Sequence, residues 1–399
     1  MREPDFVDEC YADKDLSLLK KLTLVIPTYN RNYYLSRCLW YHAHFPFGEI
    51  IVADSSPEEK KVVNRETVAK VREMFGANVR YLEYEPETEK YGGDIYRKWG
   101  DAVQHVETEY SIICIDKAFL IPVWLIAGIH YLGDHPDTVS ITGDRYYLRT
   151  KRQKSSNPKY CVNIIKSENV LEELAEPQDR FSHAFNKSKP WSSNRLFSLN
   201  NSKTHKKLYN LLEIYSIKDI RYGELILGYA GNIYGKNHYI EGIEFIRDII
   251  IISSTEINKR INNSESSDSR YPHINDLFVI NDSFYENFVN CIYSELKMNT
   301  DTNKKNVIKL SMNDVLRYDN RISQSTYLLK RYNQLIHIWY NYIPYKIQIC
   351  IRYLLSQILP YLPLPHVMFP INTNKDLVII KKIVSSTHNL RRDDLTMIR

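Results

Sequence analysis

The chain has 399 residues, 43% hydrophobic and 25% charged, the proportions of an ordinary folded protein with room for one large α/β domain and an appendage. Its formal net charge of +5 is small for that length and not concentrated, which argues against a nucleic-acid partner and suits an anionic ligand or lipid surface. The six cysteines, Cys10, Cys38, Cys114, Cys161, Cys291 and Cys350, show neither C-x-x-C nor Cys/His ligand spacing, so neither a zinc site nor a disulfide framework is expected.

That cysteine usage suits a reducing cytosol. Residues 1–21 are highly charged and hold no apolar signal-peptide core, and no uncharged apolar run reaches the roughly 18 residues a membrane span needs. The expected location is therefore cytoplasmic, in solution or on the cytoplasmic face of the membrane. The 31 tyrosines fit three readings: stacking surfaces for sugars, an interfacial belt, or a coding bias that also enriches Asn, Ile and Lys.

Residues 22–54 read as strand, tight turn, helix, strand. The apolar run Leu22, Leu24, Val25, Ile26 ends at Pro27, which cannot donate to a ladder, and Thr28, Tyr29, Asn30 and Arg31 follow before a helical pattern begins. Ile50 to Ala53 then end at Asp54, so two consecutive strands deliver Thr28–Asn30 and Asp54 to one carboxyl edge, where such sheets bind ligands. Strands are expected again at 79–84, 110–115 and 138–142, separated by helical patterns that imply parallel pairing. The helix from Asp94 to Val106 follows Gly92-Gly93, a start that favours phosphate and equally fits an ordinary capped helix. Residues 143–200 lose the alternation and read as a variable acceptor-side portion; helices are expected near 203–215 and 219–235, and 261–270 is a polar loop.

V-I-P-T-Y-N-R at 25–31 followed by I-I-V-A-D-S-S at 50–56 resembles the opening of inverting glycosyltransferases of the GT-A fold, family 2 type. The resemblance implies an α/β, GT-A (Rossmann-like, mostly parallel sheet) domain with a helical C-terminal extension. It implies a nucleotide-sugar donor as co-substrate, with Asp54 on the nucleobase and Thr28, Asn30, Arg31, Lys98 and Asp116 as further donor contacts. In the related bacterial and archaeal branch, three consecutive acids precede F-L-x-P. Here Tyr110 to Pro122 keeps Asp116, Phe119, Leu120 and Pro122, but Lys117 and Ala118 stand where the next two acids would be. The loss of two carboxylates and the gain of a cation disfavour a tightly held hard metal, so no metal is expected beyond weak divalent binding at Asp116. Lys117 is instead expected to neutralise the leaving group, helped by Lys98 or Arg97.

The same resemblance, fainter here, makes Glu224 the candidate general base through the pattern Glu224, Lys236, Arg247, with Asp179 second and Arg180 as a phosphate or acceptor contact. A helix-starting Glu favoured by the macrodipole fits Glu224 too. The histidines His183, His205 and His238 show no metal spacing and receive no role. The expected organisation is an N-terminal segment 1–20, a glycosyltransferase domain 21–255, a polar linker and helical region 256–330, and an aromatic and basic helical region 331–399. Residues 335–399 suit either peripheral contact with anionic membrane or packing on the domain. The expected activity is inverting transfer of a sugar to a hydroxyl of a surface-glycan or lipid-linked acceptor, probed against a catalytically degenerate domain that binds nucleotide sugar or acts as a scaffold subunit.

Overall fold

The computed structural model describes residues 15–86, 94–151, 159–165, 174–187, 193–217, 220–249 and 283–297. The expected loop at 261–270, the Gly92-Gly93 turn and the aromatic region 331–399 lie outside them. Strand β1 (Leu22–Thr28) leads through α1 (Asn32–His42) into β2 (Glu49–Asp54), parallel to β1 and in register from Thr23–Glu49 to Thr28–Asp54. Helix α2 (Glu58–Phe75) ends on Gly76, whose φ of 64° is the left-handed conformation that stops a helix most easily at glycine. β3 (Val79–Glu83) then pairs parallel with β2, and after α3 (Asp94–Gln104) β4 (Tyr110–Ile113) pairs parallel with β1.

Pro27 sits inside β1 rather than ending it, paired with Ala53. The carbonyl of Val25 accepts from the Cys114 N–H, so Val25 and, two residues on, Pro27 turn their backbone polar groups toward β4. The β1–β4 ladder stops at the Val25–Ile113 pair, so the missing proline N–H would have met no partner strand.

The second half of the sheet is mixed. β5 (Ala118–Leu120), α4 (Pro122–Asp134), β6 (Thr138–Lys151) and β7 (Lys159–Ile165) come next. They are followed by α5 (Pro177–Lys187), a 3-10 turn at Ser193–Phe197, β8 (Leu199–Asn201), α6 (Ser202–Ile214), α7 (Ile220–Tyr229), the short α8 (Gly231–Tyr234) and β9 (Lys236–Ile249). The strand order is β3-β2-β1-β4-β8-β6-β9-β5, with β7 on β6. The strand expected at 138–142 does exist as the start of β6, but it does not adjoin β4; β8 lies between them, antiparallel to both. A three-residue Leu-Asn-Asn strand is too short for alternation to reveal it. The stretch 143–151, expected as irregular, continues β6, which runs parallel to β9 with register shifts around Asp144.

Side chains alternate between two cores. Leu24, Ile26, Ile50 and Val52 pack with Leu35 and Leu39 of α1, Val68 and Val71 of α2 and Leu125 of α4. Val25, Ile51, Ala53 and Ile113 pack on the other face with Trp99 of α3, Leu208 of α6 and Leu225 and Ile226 of α7. The last described helix, α9 (Ser283–Glu295), buries Phe288, Val289 and Ile292 in this second core. Among the described residues no helix is long and apolar enough to cross a membrane.

Candidate functional site

The parallel half of the sheet ends in a rim of polar side chains. By the period of two, Thr28 and Asp54 continue the faces of Leu24, Ile26, Ile50 and Val52, toward α1 and α2. Between them the chain turns sharply: Asn30 has a φ of 53°, a left-handed conformation Asn tolerates better than most residues. The Asn30 N–H donates to Ser56 Oγ at 2.8 Å, which ties the turn after β1 to the segment after β2.

Asp116, just past β4, is the centre of a small cluster. Its carboxylate is buried, with 1% side-chain exposure, and accepts from the Thr28 hydroxyl at 2.9 Å and from Arg31 Nη1 at 3.3 Å, one bond on each oxygen. Burial pushes its pKa upward, while the Arg31 guanidinium and the Thr28 hydroxyl pull it back. The Lys117 ammonium lies 5.0 Å from the centroid of the Tyr34 ring on α1, and its charge also acts to lower the Asp116 pKa. A hard divalent cation prefers several carboxylate or carbonyl oxygens. Here one buried carboxylate already holds a guanidinium and a hydroxyl, and the next residue is a lysine, so these residues do not fit such an ion.

Asp54 is equally enclosed. It is buried, and its Oδ1 accepts from the Ser56 N–H at 2.7 Å. Its Oδ2 accepts from Asn64 Nδ2 at 2.6 Å and from the Tyr81 hydroxyl at 2.5 Å. Sequence reasoning singled out neither partner, although Asn64 carried a signal: it shares a helical face with Val68 and Val71, and a polar residue in an apolar stripe calls for a buried partner. Lys98 approaches from α3 on the opposite side of the sheet. Its buried ammonium donates to Ser55 Oγ at 2.7 Å and to the Thr28 carbonyl at 3.2 Å, pinning the ends of β1 and β2 together.

The structure thus brings Thr28, Arg31 and Asp116 into direct contact, links Asn30 to Asp54 through Ser56, and attaches Lys98 to Thr28 through its carbonyl. The two candidate bases stand apart from that contact set. Glu224, half-buried on α7, shares a hydrogen bond with Tyr96 of α3; burial raises its pKa and that bond partly opposes the rise. Asp179 is exposed on α5. Its neighbour Arg180 is buried and donates from Nε to the Asn232 carbonyl at 2.9 Å and from Nη1 to the carbonyls of Leu174, at 3.0 Å, and Ala175. That arginine holds backbone together. A cleft of about 250 Å³ between α3 and α6, lined by Tyr96, Arg97, Asp101, Tyr209 and Glu213, takes Arg97 away from the rim and contains none of Thr28, Asn30, Arg31, Asp54, Lys98 and Asp116.

Three residues without ligand spacing in the sequence meet in the core: Cys38 Sγ lies 3.5 Å from His42 Nδ1 and 4.0 Å from Cys114 Sγ. His42 Nδ1 is 2.8 Å from the Cys38 carbonyl, to which it donates, and Nε2 accepts the Leu120 N–H at 3.2 Å. With both ring nitrogens committed to backbone, and burial raising the Cys38 thiol pKa, this is a hydrogen-bonded core unit rather than a ready ligand set. His205 is likewise internal, 2.8 Å from Ser111 Oγ and held neutral by burial, and His238 stacks on Tyr131.

No family model matches the chain, and no curated protein does either. Among solved structures the chain is similar to TarS of S. aureus, at 13% identity and a TM-score of 0.37, over 75% of this chain and 55% of that one. It is also similar to TarS 1-349 in complex with UDP-GlcNAc, at 14% identity and a TM-score of 0.37, over 74% and 71% of the two chains. A third is the mannosyltransferase PcManGT from Pyrobaculum calidifontis in complex with GDP-Man and Mn2+, at 12% identity and a TM-score of 0.35, over 94% and 87%. At these identities and TM-scores the likeness decides nothing about chemistry, which rests on the rim's own residues.

Proposed function

We propose that the chain is an inverting glycosyltransferase that moves a sugar from a nucleotide donor to an acceptor hydroxyl without a divalent metal. The observation that supports it most is the knitting of Thr28, Arg31 and Asp116 at the carboxyl edge of parallel strands whose sequence carries the glycosyltransferase-like motif. In this reading the nucleotide lies along the rim over Thr28, Asn30 and Asp54, and Lys98 keeps the strand ends at fixed spacing. Glu224 takes the proton of the acceptor hydroxyl as its oxygen attacks the anomeric carbon; the bond from that carbon to the donor phosphate breaks, and the nucleotide leaves with the electron pair. Lys117 and Arg31 supply positive charge on the side where that phosphate departs.

One observation favours a second reading, a domain that binds nucleotide sugar or a partner without turnover: Asp54 is fully buried and already accepts three protein donors, which leaves little of its carboxylate to meet a nucleobase. Titrating the protein with UDP, GDP, CMP and their sugars, with and without manganese, tests both. Binding together with hydrolysis or transfer of the sugar is the expected result. Binding without any turnover selects the second reading, and binding of none of these ligands removes the transferase and leaves only the partner-binding form of the second.

A further inference from the structure

The position a divalent cation would take on Asp116 is filled by a side chain of the protein itself. The Arg31 guanidinium rests on Asp116 Oδ1 through one nitrogen, while 49% of the side chain stays exposed at the rim. Among the described residues Asp116 is its hydrogen-bond partner, and a guanidinium has five N–H donors in a planar fork suited to phosphate oxygens. Its base is fixed on several sides. Arg31 is the N-cap residue of α1, the preceding Asn30 is held in its left-handed turn by Ser56, and the Thr28 hydroxyl locks the other oxygen of Asp116. A flexible surface arginine would lose conformational freedom on meeting an anion. One already anchored loses less, which is the advantage of a preorganised site.

We propose that Arg31 is a built-in cation for the phosphate of the donor nucleotide, with Asp116 serving as its anchor rather than as a metal ligand. The proposal rests on the glycosyltransferase reading above and assigns the metal's electrostatic role to Arg31, where the sequence pattern alone pointed to Lys117. Lys117, held against Tyr34, adds charge nearby and is secondary. The shared chemistry is a nucleotide phosphate; UDP, GDP and CMP distinguish a diphosphate from a monophosphate, and inorganic pyrophosphate tests whether the phosphates suffice.

The experiment is calorimetric titration of wild type, Arg31→Ala, Arg31→Lys and Asp116→Asn with these four ligands, in excess EDTA and again with manganese. Wild type is expected to bind at least one nucleotide in EDTA, with Arg31→Ala weaker by about 10- to 100-fold, the worth of a charge-assisted hydrogen bond. Arg31→Lys should fall between them, and added guanidinium ion should restore part of the affinity of Arg31→Ala. Arg31→Ala binding as tightly as wild type overturns the proposal and leaves the transferase reading standing. Wild-type binding only in manganese also overturns it, and leaves the transferase reading standing without its metal-free clause. A failure of wild type to bind any of the nucleotides in either condition takes away the donor reading itself. Thermal melts of each variant separate lost affinity from lost fold.

Discussion

Single residues owe their properties to what encloses them. Glu224 is the clearest case, because burial raises its pKa while Tyr96 opposes the rise through a hydrogen bond. A general base works only when ionised. If Glu224 is that base, kcat falls as pH is lowered through a midpoint above the ordinary glutamate value, and the acid limb lies further toward neutrality than a solvent-exposed carboxylate would give. Glu224→Gln is expected to lower kcat by about 10²- to 10⁴-fold, to flatten that limb and to leave nucleotide binding intact. A pH–rate profile of the two proteins checks this, and an unchanged acid limb in the variant would remove Glu224 from the role. The identities of Asp54 and Asp116 as strand-end acids were legible in the sequence, since each closes an apolar run. Their partners were not, because Tyr81, Asn64 and Arg31 reach them from separate segments, and hydrogen bonding across segments leaves no local periodicity.

At the scale of elements, the parallel half of the sheet was readable and the mixed half was not. The strands β1 to β4 alternate with helical patterns, so their parallel direction was expected, whereas the order β3-β2-β1-β4 is seen only in the structure. β6 and β9 are long and pair with each other across nearly a hundred residues of chain, with shifts in register that no short-range pattern encodes. What holds this pair is partly an internal ion pair: Arg145 Nε lies 3.1 Å from Glu244 Oε2, both side chains buried, and the Gly143 N–H donates to the same oxygen at 3.1 Å. Arg145 also lies against the rings of Phe197 and Phe245, so the guanidinium is enclosed by apolar and aromatic surface. Glu244→Gln leaves that charge without its counterion and is expected to cost about 3–5 kcal/mol in urea unfolding. Arg145→Met combined with Glu244→Leu removes both charges and should be markedly less destabilising than the single change, a non-additivity that distinguishes a desolvation effect from lost packing.

For the whole molecule, the question is where the folded unit ends. The sequence suggests a boundary near residue 255, because 261–270 is polar and lacks periodicity. Yet α9, well past that loop, contributes Phe288, Val289, Cys291 and Ile292 to the same core as α3, α6 and α7. Tyr222 of α7 packs its ring near Phe288, with centroids 5.5 Å apart, and Glu295 accepts from the Tyr234 hydroxyl at 2.7 Å and pairs with Lys207 of α6 at 3.4 Å. Such contacts join residues far apart in sequence, and the entropic cost of closing the chain between them grows only slowly with its length. Phe288 has 1% relative exposure, so Phe288→Ala is expected to destabilise the protein by about 3–5 kcal/mol, as for a buried aromatic anywhere in a core. The destabilisation should appear in the single cooperative unfolding transition of the α3–α6–α7 core, read by the fluorescence of Trp99 in a background where Trp40, Trp124, Trp191 and Trp339 are replaced by phenylalanine. If the variant instead shows an early, separate transition while Trp99 reports unchanged stability, α9 is an independently melting attachment and the domain closes with β9.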